Sequence, residues 1–152
     1  MSTLPLEDVD YAIICSAIAN IEDCKSNPEL SHKVNVEKLE EVIKKVSELG
    51  IVPIFISGAT VFNGPGNYKE NDLRNPVNEY GKQKLEVEDF IFSNIKDYLI
   101  IRPGKVFGIR KGEGNLFADW LDKYRKNQQI ICADDEFLSF TYAGDLARAI
   151  DV

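Results

Sequence analysis

Three short apolar runs, separated by stretches with helical spacing, constrain the fold of this chain more than any other feature. The runs lie at residues 10–17, 51–57 and 97–102. Runs of this length between turn-forming residues are typical of buried strands, whereas helices are longer. Strands that alternate with helices in this way are parallel and are joined by right-handed crossovers. The sequence therefore predicts an α/β fold with a parallel sheet and flanking helices.

The predicted helices are marked by their ends. Asn27 is a suitable cap with Pro28 as the first helical residue, and Gly50 is a suitable stop for the same helical stretch. Further helices are predicted at about 79–93 and 115–126 and from near Gly144, with a short strand at 129–132. Pro53 lacks a backbone N–H and is expected near the start of the second strand. Residues 63–78 are rich in Gly, Asn and Pro and are expected to form a long loop.

Small or turn-forming residues stand at the carboxyl ends of the three predicted strands: Ala17, Gly58 and Pro103 with Gly104. Ligands of open parallel sheets bind at these ends, and small residues let a ligand approach the backbone. The same residues can equally well do no more than terminate the strands.

The amino-acid composition argues against several classes of binding partner. The formal net charge is −7, which argues against nucleic acid and anionic membrane surfaces as partners. No apolar run approaches the length of a membrane span, and the first ten residues lack the features of a signal peptide. The sequence has an odd number of cysteines, at Cys15, Cys24 and Cys132, which favours reduced thiols over disulfides. We therefore expect a cytoplasmic protein. With His32 as the single histidine, no metal site is expected.

One pair of residues has the spacing of a catalytic site. Tyr80 and Lys84 are four residues apart at the start of a predicted helix, so both project from one face. Chance alone gives about 0.5 such pairs in a chain of this composition. Taken alone, the pair is therefore better explained as a solvated surface pair. The surrounding sequence decides between this explanation and a catalytic site.

That context is an ordered set of segments. Residues 56–62 read Ile-Ser-Gly-Ala-Thr-Val-Phe, and residues 75–84 read Asn-Pro-Val-Asn-Glu-Tyr-Gly-Lys-Gln-Lys. Residues 101–108 read Ile-Arg-Pro-Gly-Lys-Val-Phe-Gly, and residues 139–150 read Ser-Phe-Thr-Tyr-Ala-Gly-Asp-Leu-Ala-Arg-Ala-Ile. In order, spacing and type, the chain resembles the extended short-chain dehydrogenase/reductase superfamily. It is most similar to the dTDP-4-dehydrorhamnose reductase family and its sugar-nucleotide-binding relatives.

The resemblance implies a partial Rossmann-like, doubly wound parallel sheet and an NAD(P)-dependent reductase or epimerase acting on a nucleotide-activated sugar. Tyr80 would be the general acid or base at the sugar carbonyl or hydroxyl. Lys84 would favour the phenolate of Tyr80 and bond the nicotinamide ribose hydroxyls. A free Tyr has a pKa of about 10, so it needs such help near neutral pH.

The resemblance also implies roles for residues around this pair. Ala17, Pro103 and Gly104 would line the NAD or NADP cofactor. Glu70, in the long loop, would meet sugar hydroxyls. Asn35 matches a position where the family often has Asn in the helix below the site, and an ordinary polar residue on a helix face explains it almost as well.

The glycines depart from the family pattern. The family holds the cofactor pyrophosphate on a Gly-x-x-Gly-x-x-Gly turn at a helix N-terminus, and none of the ten glycines here shows that spacing. We therefore expect residues 1–152 to form a single incomplete NAD(P)-binding domain, the second half of the fold, ending before the substrate lobe. Its first strand would become an unpaired apolar edge. We expect a fragment that is inactive alone, with a homo-oligomer or a complementing partner chain as the alternatives.

The second departure affects the chemistry. The family usually has Ser or Thr at the position of Gly58 to hold the substrate oxygen, and Ser57 and Thr60 flank it. Strand alternation points Ser57 to the opposite face from Gly58, whereas Thr60 reaches the site if the loop bends. Loss of one such donor typically costs about 100-fold or more in rate. A non-catalytic sugar-nucleotide-binding or regulatory protein on the same scaffold is therefore the alternative. The run Pro103-Gly104-Lys105 also differs from strict rhamnose-pathway reductases, which leaves the sugar open.

Overall fold

Parallel strands form in the part of the chain where the apolar runs predict them. The computed structural model describes residues 8–108, 116–132, 134 and 138–151, and it divides into two compact units after Arg102. In the first unit, β1 (Tyr11–Ile14), β2 (Val52–Ile56) and β3 (Leu99–Ile101) form a parallel sheet in the order β1-β2-β3. All three predicted strands are confirmed, each shorter at its ends than the apolar run that predicted it.

Pro53 is the second residue of β2, and the hydrogen-bond pattern explains why it is tolerated there. The Val52 N–H bonds to the Asp10 carbonyl on the β1 side, so the nitrogen of the next residue faces β3. The pairing of β2 with β3 begins one residue later, at Ile54 and Leu99. The missing N–H of Pro53 therefore removes no hydrogen bond from the sheet.

Helices connect the strands. The first connection contains α1 (Ile21–Ser26), α2 (Pro28–His32), a π-helical turn (Lys33–Glu37) and α3 (Lys38–Glu48). The predicted cap and first residue of α2, Asn27 and Pro28, are confirmed, and Gly50 adopts a positive φ of 79° just beyond the end of α3. Helix α1 was not predicted. Its signal is Asn20, whose side chain accepts hydrogen bonds from the second and third residues of the helix.

The second connection contains a 3₁₀ turn (Ala59–Val61), the long loop and α4 (Glu79–Asn94). The predicted loop at 63–78 and the predicted helix at about 79–93 are both confirmed. The side chain of Asn78 caps α4 by accepting the Gly81 N–H at 2.8 Å.

Helices α3 and α4 cover one face of the sheet. Ile14 and Phe55 on that face pack against a set of apolar helix residues: Val36, Leu39, Ile43, Val87, Ile91 and Ile95. On the opposite face, Tyr11 is 62% exposed and Ile13 is 53% exposed. Strand β1 is an end strand of the described sheet, in agreement with the apolar edge that the sequence predicted, whereas the exposed apolar face was not predicted.

The second unit contains β4 (Lys105–Phe107), α5 (Leu116–Arg125), β5 (Phe140–Tyr142) and α6 (Ala143–Ile150). Strands β4 and β5 pair in parallel, and the aromatic rings of Phe107, Phe117 and Phe140 cluster beside them. The predicted helices at about 115–126 and from near Gly144 are confirmed, although residue 115 lies outside the described part. The strand predicted at 129–132 is wrong, because these residues are not in a strand.

Strands β4 and β5 were not predicted, because each is short and its pairing partner is distant in sequence. Gly104 lets them come together, since an added Cβ there would lie 2.1 Å from the Ser139 carbonyl oxygen. The Lys105 N–H also donates to the Ser139 carbonyl. No helix in the described residues is long and apolar enough to span a membrane. Nor do those residues bring three His, Cys, Asp or Glu side chains into a group that could hold a metal.

Candidate active site at the end of strand β2

The site is built where β2 ends. The Ser57 N–H donates to the Ile101 carbonyl at 2.8 Å and so continues the hydrogen bonding of the sheet for one more residue. Gly58 is still extended, with φ of −177° and ψ of 159°, and the 3₁₀ turn begins at the next residue. The turn leads into the long loop before α4.

Gly81 allows α4 to contact that turn. A Cβ on Gly81 would lie 2.4 Å from the Thr60 carbonyl oxygen and 2.9 Å from Pro76 Cβ, so a side chain at this position has no room. The close approach of the two backbones places the first turn of α4 directly against the end of β2. Tyr80 and Lys84 reach the sheet edge because the residue after Tyr80 is glycine.

Lys84 is held in the protein interior, with only 2% of its surface exposed. Its Nζ donates to the Ile56 carbonyl at 2.9 Å and lies 4.6 Å from the centroid of the Phe55 ring. Nζ also lies 5.5 Å from the centroid of the Tyr80 ring. Burial lowers the pKa of Lys84 from 10.5 to about 8, although charge interactions with Cys15 and Glu88 oppose the shift. The ammonium therefore still predominates at neutral pH.

Tyr80 is half-buried beside this ammonium. Burial raises its pKa above the usual value, and the charge interaction with Cys24 adds to the effect. This direction is opposite to the lowering that the sequence led us to expect from Lys84. The physical reason is that desolvation of the phenolate exceeds the attraction of an ammonium that donates its hydrogen bond to Ile56.

Two hydroxyl groups near this pair are buried and have no hydrogen-bond partner within the described part of the chain, Ser57 Oγ and Thr60 Oγ1. Ser57 lies two residues after Phe55 and continues the ladder, so it shares the sheet face on which α4 packs. Thr60 Oγ1 lies 3.3 Å from the position of a Cβ added to Gly58. The hydroxyl of Thr60 thus lies next to Gly58, which has no side-chain hydroxyl of its own.

The other predicted site residues are more scattered. Ala17 lies in the turn after β1, in the first unit. Pro103 and Gly104 belong to the second unit, where the Gly104 N–H donates to Thr141 Oγ1 at 3.2 Å. Glu70 lines a cavity of about 460 Å³ together with residues that include Arg74 and Arg102, and neither Tyr80 nor Lys84 lines that cavity.

Sequence reasoning missed a buried acid beneath the long loop. Glu88 is fully buried and accepts hydrogen bonds from Arg102 Nε and Nη2, both at 2.8 Å, and from Arg74 Nη1 at 3.1 Å. Arg102 Nη1 then donates to the Glu70 carbonyl at 3.0 Å. The two guanidinium groups thus tie the loop to α4 and to the end of β3. The only signal in the sequence was two arginines near a helix with several acids, which is more often a solvated surface.

A parallel sheet flanked by helices, with candidate side chains at the carboxyl end of a strand, is the arrangement of a Rossmann-like domain. Comparison with known proteins defines the family. A family model described as the RmlD substrate binding domain matches residues 3–151, and the chain belongs to this family.

Relatives and solved structures agree with this assignment. The chain is 31% identical over 124 residues to the dTDP-4-dehydrorhamnose reductase of Salmonella typhimurium strain LT2, covering 80% of this chain and 40% of that protein. A crystal structure of dTDP-4-dehydrorhamnose reductase from Bacillus anthracis in complex with NADP superposes with a TM-score of 0.83 at 26% identity, covering 93% of this chain and 51% of that one.

More distant proteins share this fold. UDP-glucuronic acid 4-epimerase from Bacillus cereus, solved with UDP-glucuronic acid and NAD, has a TM-score of 0.80 at 21% identity, covering 96% of this chain and 49% of that one. At this identity the likeness shows the fold alone. The chain spans about half the length of the curated relatives it matches.

Proposed function

We propose that this chain carries the Tyr–Lys part of the active site of an NAD(P)-dependent reductase acting on a nucleotide-activated sugar. The observation that carries the proposal is the position of Lys84, whose buried ammonium lies over the rings of both Phe55 and Tyr80 at the end of β2. A buried ammonium beside a half-buried phenol is costly to maintain and is typical of functional sites.

The protonation states of the pair favour reduction. Because burial raises the pKa of Tyr80, its phenol is protonated near neutral pH, which is the form that a general acid needs. Tyr80 donates this proton to the carbonyl oxygen of the sugar as the hydroxyl forms. Lys84 is still largely an ammonium at neutral pH and stabilises the negative charge that develops on the phenol oxygen.

The residues present fit one end of a nicotinamide cofactor. Lys84 has three N–H donors, and among the described residues the acceptor found for it is the Ile56 carbonyl. The remaining donors suit ribose hydroxyls, with Ala17 of the same unit as the proposed lining. The cofactor supplies the hydride when bound. The glycine spacing that holds a pyrophosphate does not occur in this sequence, so we assign no residues to that end.

Thr60 is the proposed donor to the sugar oxygen in place of a hydroxyl at Gly58. Its Oγ1 is adjacent to Gly58 and has no partner within the described residues. Because this oxygen is buried, the 3₁₀ turn must open slightly for it to reach a substrate. Glu70 is proposed to meet sugar hydroxyls from the loop, where its backbone is held by Arg102.

The experiment is a single-turnover reduction of dTDP-4-dehydrorhamnose with NADPH or NADH by the chain extended with a glycine-rich pyrophosphate-binding half, followed by loss of nicotinamide fluorescence. Tyr80→Phe should lower the rate by about 100-fold or more. The exposed Tyr124 provides a matched control as Tyr124→Phe, which should leave the rate unchanged. Turnover that survives in Tyr80→Phe would refute the assigned mechanism.

Gly58→Ser separates this proposal from a purely binding or regulatory role. The extended backbone accepts any residue, and the new hydroxyl would stand beside Thr60. A gain in turnover over Gly58→Ala supports a reductase that works with a suboptimal donor. Saturable sugar-nucleotide binding without turnover in either variant would favour the binding role.

A further inference from the structure

A chain of buried side-chain hydrogen bonds connects α4 to the turn that follows β1. Asn35 Oδ1 accepts the Ile18 N–H at 2.7 Å, and Asn35 Nδ2 donates to the Ile18 carbonyl at 3.0 Å. Asn35 Nδ2 also donates to Gln83 Oε1 at 2.8 Å, and Gln83 Nε2 donates to Ser31 Oγ at 2.8 Å. Ser31, Asn35 and Gln83 are each 1% exposed. Their polar atoms are therefore satisfied inside the protein by one another and by the backbone.

The direction of this hydrogen-bond chain is fixed at Ser31. Its hydroxyl donates to a backbone carbonyl, with Pro28 O at 3.1 Å, and a carbonyl oxygen can only accept. The single hydroxyl proton is thus committed, and the Ser31 oxygen must accept from Gln83 Nε2. Gln83 Oε1 then faces Asn35, which orients the Asn35 amide so that its oxygen meets the Ile18 N–H.

The geometry of the intervening helix supports this arrangement. Asn35 lies in the π-helical turn Lys33–Glu37, where the helix is locally wider. Such turns are rare and are frequently found at functional sites. Gln83 lies between Tyr80 and Lys84 on α4, so its side chain joins the Tyr–Lys helix to the turn that contains Ala17 and Ile18.

We infer that Gln83 is a positioning residue that fixes the turn after β1 relative to Tyr80 and Lys84, acting through Asn35. The significance of that turn rests on the proposed function, in which Ala17 lines the cofactor. The positioning itself does not depend on any bound molecule. A residue with this role sets the distance between the backbone at Ala17 and the Tyr–Lys pair without touching cofactor or substrate.

The test is amide hydrogen exchange by NMR on the whole chain. Gln83→Met preserves length and approximate volume but removes both hydrogen bonds. Exchange of the Ile18 amide should become faster by about tenfold or more relative to the amide of Ile91 in the core of α4. Gln83→Glu keeps the acceptor for Asn35, and its carboxyl, kept protonated by burial, donates to Ser31 in place of Nε2, so this variant should restore most of the protection. The exposed Gln128→Met serves as the control and should change nothing.

Unchanged exchange at Ile18 in Gln83→Met would overturn the inference, and so would equal acceleration of all amides, which indicates a general loss of stability. If Gln83→Met does not fold, Ser31→Ala replaces it, because Gln83 is then free to rotate and the same local acceleration is expected. Full protection of Ile18 in Ser31→Ala would also overturn the inference.

Cofactor binding separates this inference from the proposed function. NADPH titrated into Gln83→Met should bind about tenfold more weakly than to the unmodified chain, as the lining turn is loosened. If no NADPH is bound even when the chain carries a glycine-rich pyrophosphate-binding half, the proposed function fails, and the exchange of Ile18 still decides the role of Gln83.

Discussion

Replacing Glu88 by glutamine should be among the most destabilising single-atom changes available in this chain. Glu88 is fully buried, and its two oxygens accept three hydrogen bonds from the guanidinium groups of Arg102 and Arg74. The glutamine side chain in Glu88→Gln would retain one acceptor and would direct an N–H₂ group at a guanidinium, where donor meets donor. The variant therefore loses at least one charge-assisted bond and leaves a positive charge without its partner.

The magnitude follows from these contacts. Removing one partner of a buried ion pair costs about 3–5 kcal/mol. The side chains of Arg102 and Arg74 are 13% and 25% exposed, so water recovers part of the loss. We expect the free energy of unfolding to fall by about 3 kcal/mol, near the lower end of that range.

Urea denaturation of Glu88→Gln measures this loss, and Asp89→Asn is the matched control. Asp89 pairs with the same Arg74 at 2.8 Å, but its side chain is 57% exposed. An exposed pair contributes less than about 1 kcal/mol, so the control should lose no more than that. Equal losses in the two variants would refute the reasoning, since burial would then make no difference.

A second check is the apolar double variant Glu88→Leu with Arg102→Met. Its free energy of unfolding should fall by less than that of Glu88→Gln, because the double variant leaves fewer buried charges unpaired.

Three further predictions concern other positions. The free energy of unfolding of the chain, taken relative to that of Lys84→Met, should rise by about 3 kcal/mol between pH 8 and 10.5. The reason is that Lys84 loses its proton at a lower pH in the folded state, so the unfolded state binds more protons in that window. Urea titrations at each pH measure this difference, and a difference that does not change with pH would contradict the prediction. Gly81→Ala should lose about 1–3 kcal/mol in the same assay, since its Cβ meets the Thr60 carbonyl oxygen at 2.4 Å, and a gain in stability would count against this packing. Ile13→Lys, beside the exposed Tyr11 on the end strand, should reduce self-association in sedimentation experiments without loss of stability, and unaltered association would show that this face is not involved.

The sequence by itself determined the elements that depend on neighbouring residues. The apolar runs gave β1, β2 and β3, and the pair Asn27 and Pro28 gave the start of α2. The four-residue spacing of Tyr80 and Lys84 put both on one face of a helix before any tertiary contact was known. Such features follow from local geometry, in which the side chain, its cap and its turn lie within a few residues of one another.

Only the tertiary structure decided the features that join distant residues. Strand β4 pairs with β5 across 35 residues, from Lys105 to Phe140, and Asn35 bonds to Gln83 across 48. In the sequence, Gln83 and Glu88 look like the solvated face of a helix, because the groups that satisfy them lie elsewhere in the chain. The pKa of Tyr80 likewise rises because of its burial, and burial depends on how the sheet and helices pack together.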